Sequence, residues 1–178
     1  MNAPRTSAYI PRSLGAAILL AALFAAGGCG KEQAPAQAIA IGPDTACALD
    51  GMLLADYPGP KAQIQYDNGE REFFCDTVEM FSMVLRPESA RRVRAVYTQD
   101  MAKADWQAPR DNWIDATTAF YVVGSKLKGS MGPTFASFAS REAAAAFARE
   151  HGGRVLGYAE VTPEMADLRG GAMQDERM

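Results

Sequence analysis

The segment Asp44-Thr45-Ala46-Cys47-Ala48-Leu49-Asp50-Gly51-Met52 places a thiol and a thioether in one short, glycine-containing loop. Thiolate and thioether sulfur together suit a soft monovalent cation, and Cu(I) is the ion such ligands select. A thioether has a further merit in an oxidising compartment, because it cannot be lost to a disulfide. One thiolate with one or two methionines would hold Cu(I) and still leave it available for transfer. The packing alternative is that Met52, followed by Leu53 and Leu54, belongs to the core, with Cys47 buried or disulfide-bonded. A second sulfur lies in Gly129-Ser130-Met131-Gly132-Pro133. A methionine between glycines on a polar loop has little packing reason to be there, so Met131 is the candidate distant third ligand; tucking onto the sheet is its alternative.

Cys75 follows Phe73-Phe74 and precedes a helix cap, where the helix dipole favours a thiolate. Three roles stay open for it: metal ligand, disulfide partner of Cys47, or buried structural thiol. Met101 is a weaker candidate, Met80 and Met83 fall on a helix as core residues, and Met165, Met173 and Met178 could add weak sites near the C-terminus. His151, in a last helical turn before two glycines, suits capping of the final carbonyls. Trp106 and Trp113 flank a proline-containing loop and are expected to pack. No phosphate loop, HExxH or G-x-S-x-G motif is present.

Composition narrows the chemistry further. The chain has 178 residues, nine Met, three Cys and a single His. One His argues against a His-rich zinc centre, and three Cys cannot supply a Cys₄ site or a disulfide scaffold. A formal net charge of −3 gives no reason to expect a nucleic-acid partner.

The N-terminus reads as a secretory leader. Arg5 and Arg12 precede an apolar run from Leu14 to Ala26, too short to span a bilayer comfortably and the right length for a signal-peptide core. Small residues Ala26-Gly27-Gly28 then lead directly into Cys29. This order resembles a bacterial lipoprotein signal, although Ala26 stands where Leu is usual. The resemblance implies cleavage before Cys29 and lipidation of its thiol; an ordinary secretory signal with an incidental Cys is the alternative. Cleavage would remove 28 of the 178 residues, leaving 150, and would take two Arg with it, moving the formal charge from −3 to −5. The product would be anchored to a bacterial membrane facing the periplasm, and the absence of Asp after Cys29 favours the outer membrane. Lys31 to Ala40, rich in Gln, Ala and Pro, reads as a flexible tether.

The elements that must position these residues come in two similar sets. Alternating residues on both sides of Asp67-Asn68-Gly69 predict a β-hairpin, with strands Ala62–Tyr66 and Glu70–Phe74. Asp76 with Glu79 three residues on predicts a capping box and a short helix ended by Pro87, and Val93–Thr98 a returning strand. Ala119–Val123, a glycine-containing loop over Gly124–Gly132, a strand over Thr134–Phe138, a helix from Ser140 through Glu150 and a strand over Arg154–Tyr158 repeat the plan. Gly152 and Gly153 supply the helix stop. The expected fold class is α+β, two ββαβ units sharing one core, because each is too small to stand alone. The expected divisions are a signal peptide over 1–28, a tether over 29–43, a first unit with the metal-binding loop over 44–108, a second unit over 109–162, and a tail over 163–178.

With these residues in place, nearly the whole mature chain resembles the NosL family, copper-binding lipoproteins of nitrous oxide reductase maturation. The resemblance runs in order through Cys47–Met52, Tyr57-Pro-Gly-Pro60, Tyr97 with Asp100-Met101, Trp106, Asn112-Trp-Ile-Asp-Ala116, Phe120-Tyr-Val-Val-Gly-Ser125, Ser130-Met-Gly132 and His151-Gly-Gly153. It implies a pair of ββαβ units of organomercurial-lyase-like topology, binding of Cu(I), and delivery of copper to nitrous oxide reductase with the Nos maturation proteins as partners. Its soft ligands carry over to Cys47 and Met52, and then to Met131. The chain departs from the family at Asp50, where many members have Cys before Gly-Met; the thiol here is Cys47, three residues earlier, so the ligand loop is longer. Two other readings compete with a non-enzymatic copper chaperone. One is a thiol enzyme like the organomercurial lyases, using Cys47 and Cys75 with Asp50 as proton donor. The other is an interaction module in which the two thiols are bridged.

Overall fold

A computed structural model describes residues 35–86 and 91–168. The leader, Cys29, most of the tether, Pro87, Met173 and Met178 lie outside the described residues.

The first hairpin forms as its sequence requires. Strands β1 (Ala62–Tyr66) and β2 (Arg71–Phe74) pair antiparallel from Ala62↔Phe74 to Gln65↔Arg71. Helix α1 (Thr77–Val84) follows β2, and β3 (Val93–Gln99) returns beside β1. No strand was expected at Trp113–Asp115, yet these residues form β4 and pair with β3, completing a four-stranded sheet of order β2-β1-β3-β4.

The second set comprises β5 (Phe120–Gly129), β6 (Gly132–Phe138), α2 (Arg141–His151) and β7 (Arg154–Gly157), in a three-stranded antiparallel sheet of order β6-β5-β7. The fold is therefore α+β, with two ββαβ units. One expectation is corrected here. The glycine-containing loop placed over Gly124–Gly132 is mostly strand: β5 passes through an irregularity after Val123 and pairs again at Lys128↔Pro133 and Gly129↔Gly132. Ser125, Leu127 and Gly129 face inward, whereas Lys126 and Lys128 are exposed. The period of two continues past a bulge that Gly124 signals.

The two units share one core. Ile64, Phe74 and Phe81 of the first pack with Tyr121, Phe135 and Leu156 of the second. Phe81 meets Tyr121 edge-on at 4.8 Å between ring centroids, a preferred aromatic geometry. A second cluster gathers Met101, Val122, Phe138 and Ala144, with Trp106 stacked on Phe147. His151 also lies against Phe147. Met80 is fully buried in the main core, and Met83 and Met165 pack against it. Met101 is thus a core residue, as are the two helical methionines.

Polar bonds sew the seam between the units. Thr77 donates to the Phe135 carbonyl at 2.7 Å, Thr134 to Asp76 at 2.8 Å, and Ser137 to the Gln99 carbonyl at 2.7 Å. The seam depends on close approach at Gly129, where an added Cβ would lie 2.1 Å from Asp76 Oδ2 and 2.9 Å from Thr134 Cβ. Gly129→Ala is expected to destabilise the protein by about 1–3 kcal/mol, the range for overpacking a close-packed interior. Chemical denaturation measures it, and an unchanged midpoint would contradict the packing described.

Candidate metal centre

The loop carrying Cys47 is a tight fold-back docked on the first sheet. The Cys47 N–H donates to the Met52 carbonyl at 2.8 Å, and the Gly51 N–H to the Cys47 carbonyl at 3.0 Å. Gly51 sits at φ +77°, a left-handed conformation that favours glycine. Asp50 accepts from the Met52 N–H at 3.0 Å, a turn its short carboxylate stabilises. The Ala48 N–H reaches the Phe73 carbonyl at 2.8 Å and fixes the loop to β2. Cys47 and Met52 are thereby held opposite one another. Cys47 is 4% exposed and belongs to a small core with Ile41, Leu54 and Cys75, against which Met52, Phe73 and Trp113 pack.

Cys75 arrives from the other side, at the junction of β2 and α1, and is fully buried. Its Sγ lies 3.3 Å from Glu79 Oε2, and Cys47 Sγ lies 3.3 Å from the same oxygen. Ligand atoms of Cys47, Asp50, Cys75 and Glu79 all fall within 4.8 Å of one another, with Asp50 alone exposed. The two cysteines are free. Ser130, on the turn between β5 and β6, places its hydroxyl 2.9 Å from the Cys75 carbonyl and 3.1 Å from its sulfur.

The thiols are not equivalent. A hydrogen bond from the facing Cys75 thiol draws Cys47 below the ordinary thiol value; burial opposes this, and the Leu49 N–H, 3.5 Å from Cys47 Sγ, assists it. The same contact, together with burial, pushes Cys75 up. Cys47 is therefore the thiol that carries charge first.

Lys61 is the only buried Lys or Arg among the described residues. Its ammonium donates to the carbonyls of Pro58 at 2.9 Å and Cys75 at 3.1 Å. Burial lowers it to about 8, against the opposing pull of Asp76, Cys75, Glu79 and Cys47. Asp76 begins α1. Its carboxylate accepts from the Val78 N–H at 2.9 Å, and Glu79 reaches back to the Asp76 N–H at 3.3 Å, which completes the expected capping box.

Of the residues the sequence nominated, the structure brings Cys47 and Met52 together and adds Cys75. Met131 stays 56% exposed at the tip of the β5–β6 turn, one residue from Ser130. The sequence marks Glu79 as a capping residue and gives Lys61 and Ser130 no role at the site. The Cys75–Glu79 spacing of four on a helix start was the available sign for Glu79. Nothing in the local sequence marks Lys61.

Burial also raises Asp76 to about 7 from an ordinary value of 3.8, and its Oδ2 is buried without a partner, as suits a protonated carboxyl. Between pH 4 and 7 the folded chain keeps a proton at Asp76 that the unfolded chain loses. Stability from this group is full below about pH 4 and falls as pH rises through 7, by up to about 4 kcal/mol. Asp76→Asn, which retains the capping oxygen, is expected to flatten that part of the stability–pH curve in urea denaturation. An unaltered curve would show that Asp76 ionises freely in the fold.

Comparisons with known proteins agree on one family. The NosL family model matches residues 38–166. The copper-binding lipoprotein NosL of Stutzerimonas stutzeri is 41% identical over 172 residues, spanning 91% of this chain and 90% of the relative. The copper-binding lipoprotein NosL of Achromobacter cycloclastes is 41% identical over 128 residues, spanning 69% of this chain and 66% of the relative. Among solved structures, the crystal structure of the copper chaperone NosL from Shewanella denitrificans is 38% identical with a TM-score of 0.70, covering 73% of this chain and 98% of the other. By sequence and by fold, this chain belongs to the NosL family.

Proposed function

We propose that the protein is a copper chaperone that carries Cu(I) in the loop around Cys47 and Met52. The observation that carries this reading is the fold-back that packs Met52 against the small core holding the buried Cys47 thiol, a donor pair matched to a soft monovalent ion. Two relatives described as copper-binding lipoproteins and one described as a copper chaperone support it. Cys47 supplies the anionic ligand and Met52 a neutral, weaker one that can be exchanged. Met131, on an exposed turn beside Ser130, would take the ion at the surface during entry or transfer. A lipid on Cys29 would tether the chain through residues 29–43 to the outer membrane, facing the periplasm. The recipient on this reading is nitrous oxide reductase, reached through the Nos maturation proteins.

Cys47, Cys75 and Asp50 are also the groups that a thiol-dependent carbon–mercury cleavage would use, and the structure brings them within 4.8 Å. The two functions separate in one set of assays. Anaerobic Cu(I) titration of reduced protein against a competing chelator is expected to give one tightly bound ion per chain. Cys47→Ala should weaken binding by about a hundredfold or more and Met52→Ala by roughly tenfold, on the scale of lost metal-site contacts. An organomercurial substrate should not be turned over. Wild-type affinity in Cys47→Ala would refute the chaperone site, and steady turnover would favour the enzyme.

A further inference from the structure

We propose that Cys75 is a second thiolate ligand to Cu(I), so that the tight site is a buried pair of cysteines with Met52 beside it. The inference rests on the copper reading above and concerns this chain's own donor set. It starts from geometry. Cys47 and Cys75 come from separate elements, yet both sulfurs lie 3.3 Å from one oxygen, Glu79 Oε2. Their ligand atoms lie within 4.8 Å of each other, close enough for one ion to bridge them after small side-chain adjustments. Met131, the third sulfur suggested by sequence, is exposed on a turn tip, whereas Cys75 is fully buried.

The backbone of Cys75 is held still, and that constrains the thiol it carries. Its carbonyl lies within hydrogen-bond reach of Lys61 Nζ and Ser130 Oγ, which fixes the backbone from two directions. The Ser130 hydroxyl also lies 3.1 Å from the sulfur, so its one proton can turn from the carbonyl to a thiolate. Two thiolates around one Cu(I) carry a net negative charge. Burying that charge is costly without a nearby cation, and Lys61 is the buried cation at this position.

The binding step balances simply. Two S–H bonds break, two Cu–S bonds form, and two protons pass to the buffer. Copper stays Cu(I), and nothing is oxidised or reduced.

The test uses the full-length protein, reduced and anaerobic, with Cu(I) supplied from a chelator complex. Cys75→Ser keeps the size and hydrogen bonding of the side chain, and circular dichroism checks its fold. The expected result is a loss of Cu(I) affinity of about a hundredfold, together with one fewer sulfur neighbour in X-ray absorption at the copper edge. A Met52→Leu, Met131→Leu double variant leaves both thiols in place and should retain two sulfur neighbours. Cys75→Ser protein that binds as tightly as wild type, or a double variant with a single sulfur neighbour, would overturn the assignment of Cys75 alone. Failure of the wild type to take Cu(I) would remove the copper reading itself, and this proposal with it.

Discussion

At the N-terminus of α1 the helix has unpaired N–H groups, the two sheets meet, and the two thiols converge. A single capping box serves all three. Asp76 accepts from the helix backbone and from Thr134 of the other sheet, so it starts the helix and ties the seam. Glu79 reaches back to the Asp76 N–H and touches both cysteines with the same carboxylate oxygen. Helix initiation and thiol placement are therefore one constraint. Gly129 completes it, because only the absence of a side chain lets β5 come so near Asp76.

The cost of this arrangement is charge in a dry place. Asp76, Glu79 and two thiols crowd a volume whose one buried cation among the described residues is Lys61. Isolated buried charges are expensive, and a protein lowers the cost by pairing them or by holding protons. Here both occur: Asp76 and Cys75 retain their protons more strongly than usual, and Lys61 is drawn toward its neutral form. A Cu(I) ion that displaced both thiol protons would leave one net negative charge, which the Lys61 ammonium beside Cys75 would offset. The site is thus suited to exchange protons for a soft ion.

Much of this was legible in the sequence because it was local. Asn68-Gly69 marked the first hairpin, Asp76 with Glu79 marked the cap, and Ser140 with Gly152 bracketed α2. Cys47 and Met52 stood out because their loop is contiguous. What escaped notice depends on tertiary neighbours. The extended β5 was obscured by Gly124, which marks a bulge rather than a loop end. Strand β4 is three residues long and exists through its pairing with β3. Lys61 and Ser130 reach Cys75 from positions 14 and 55 residues away, and no sequence period reports such meetings.

The central claim is that the buried loop at Cys47, rather than the exposed methionine at the turn, is where the ion rests. Anomalous diffraction at the copper edge from crystals loaded with Cu(I) tests it most directly. The account predicts a single strong peak within bonding distance of Cys47 Sγ, between the Cys47–Met52 loop and the start of α1. A peak at Met131 or at surface carboxylates, with Cys47 Sγ unligated, would contradict it.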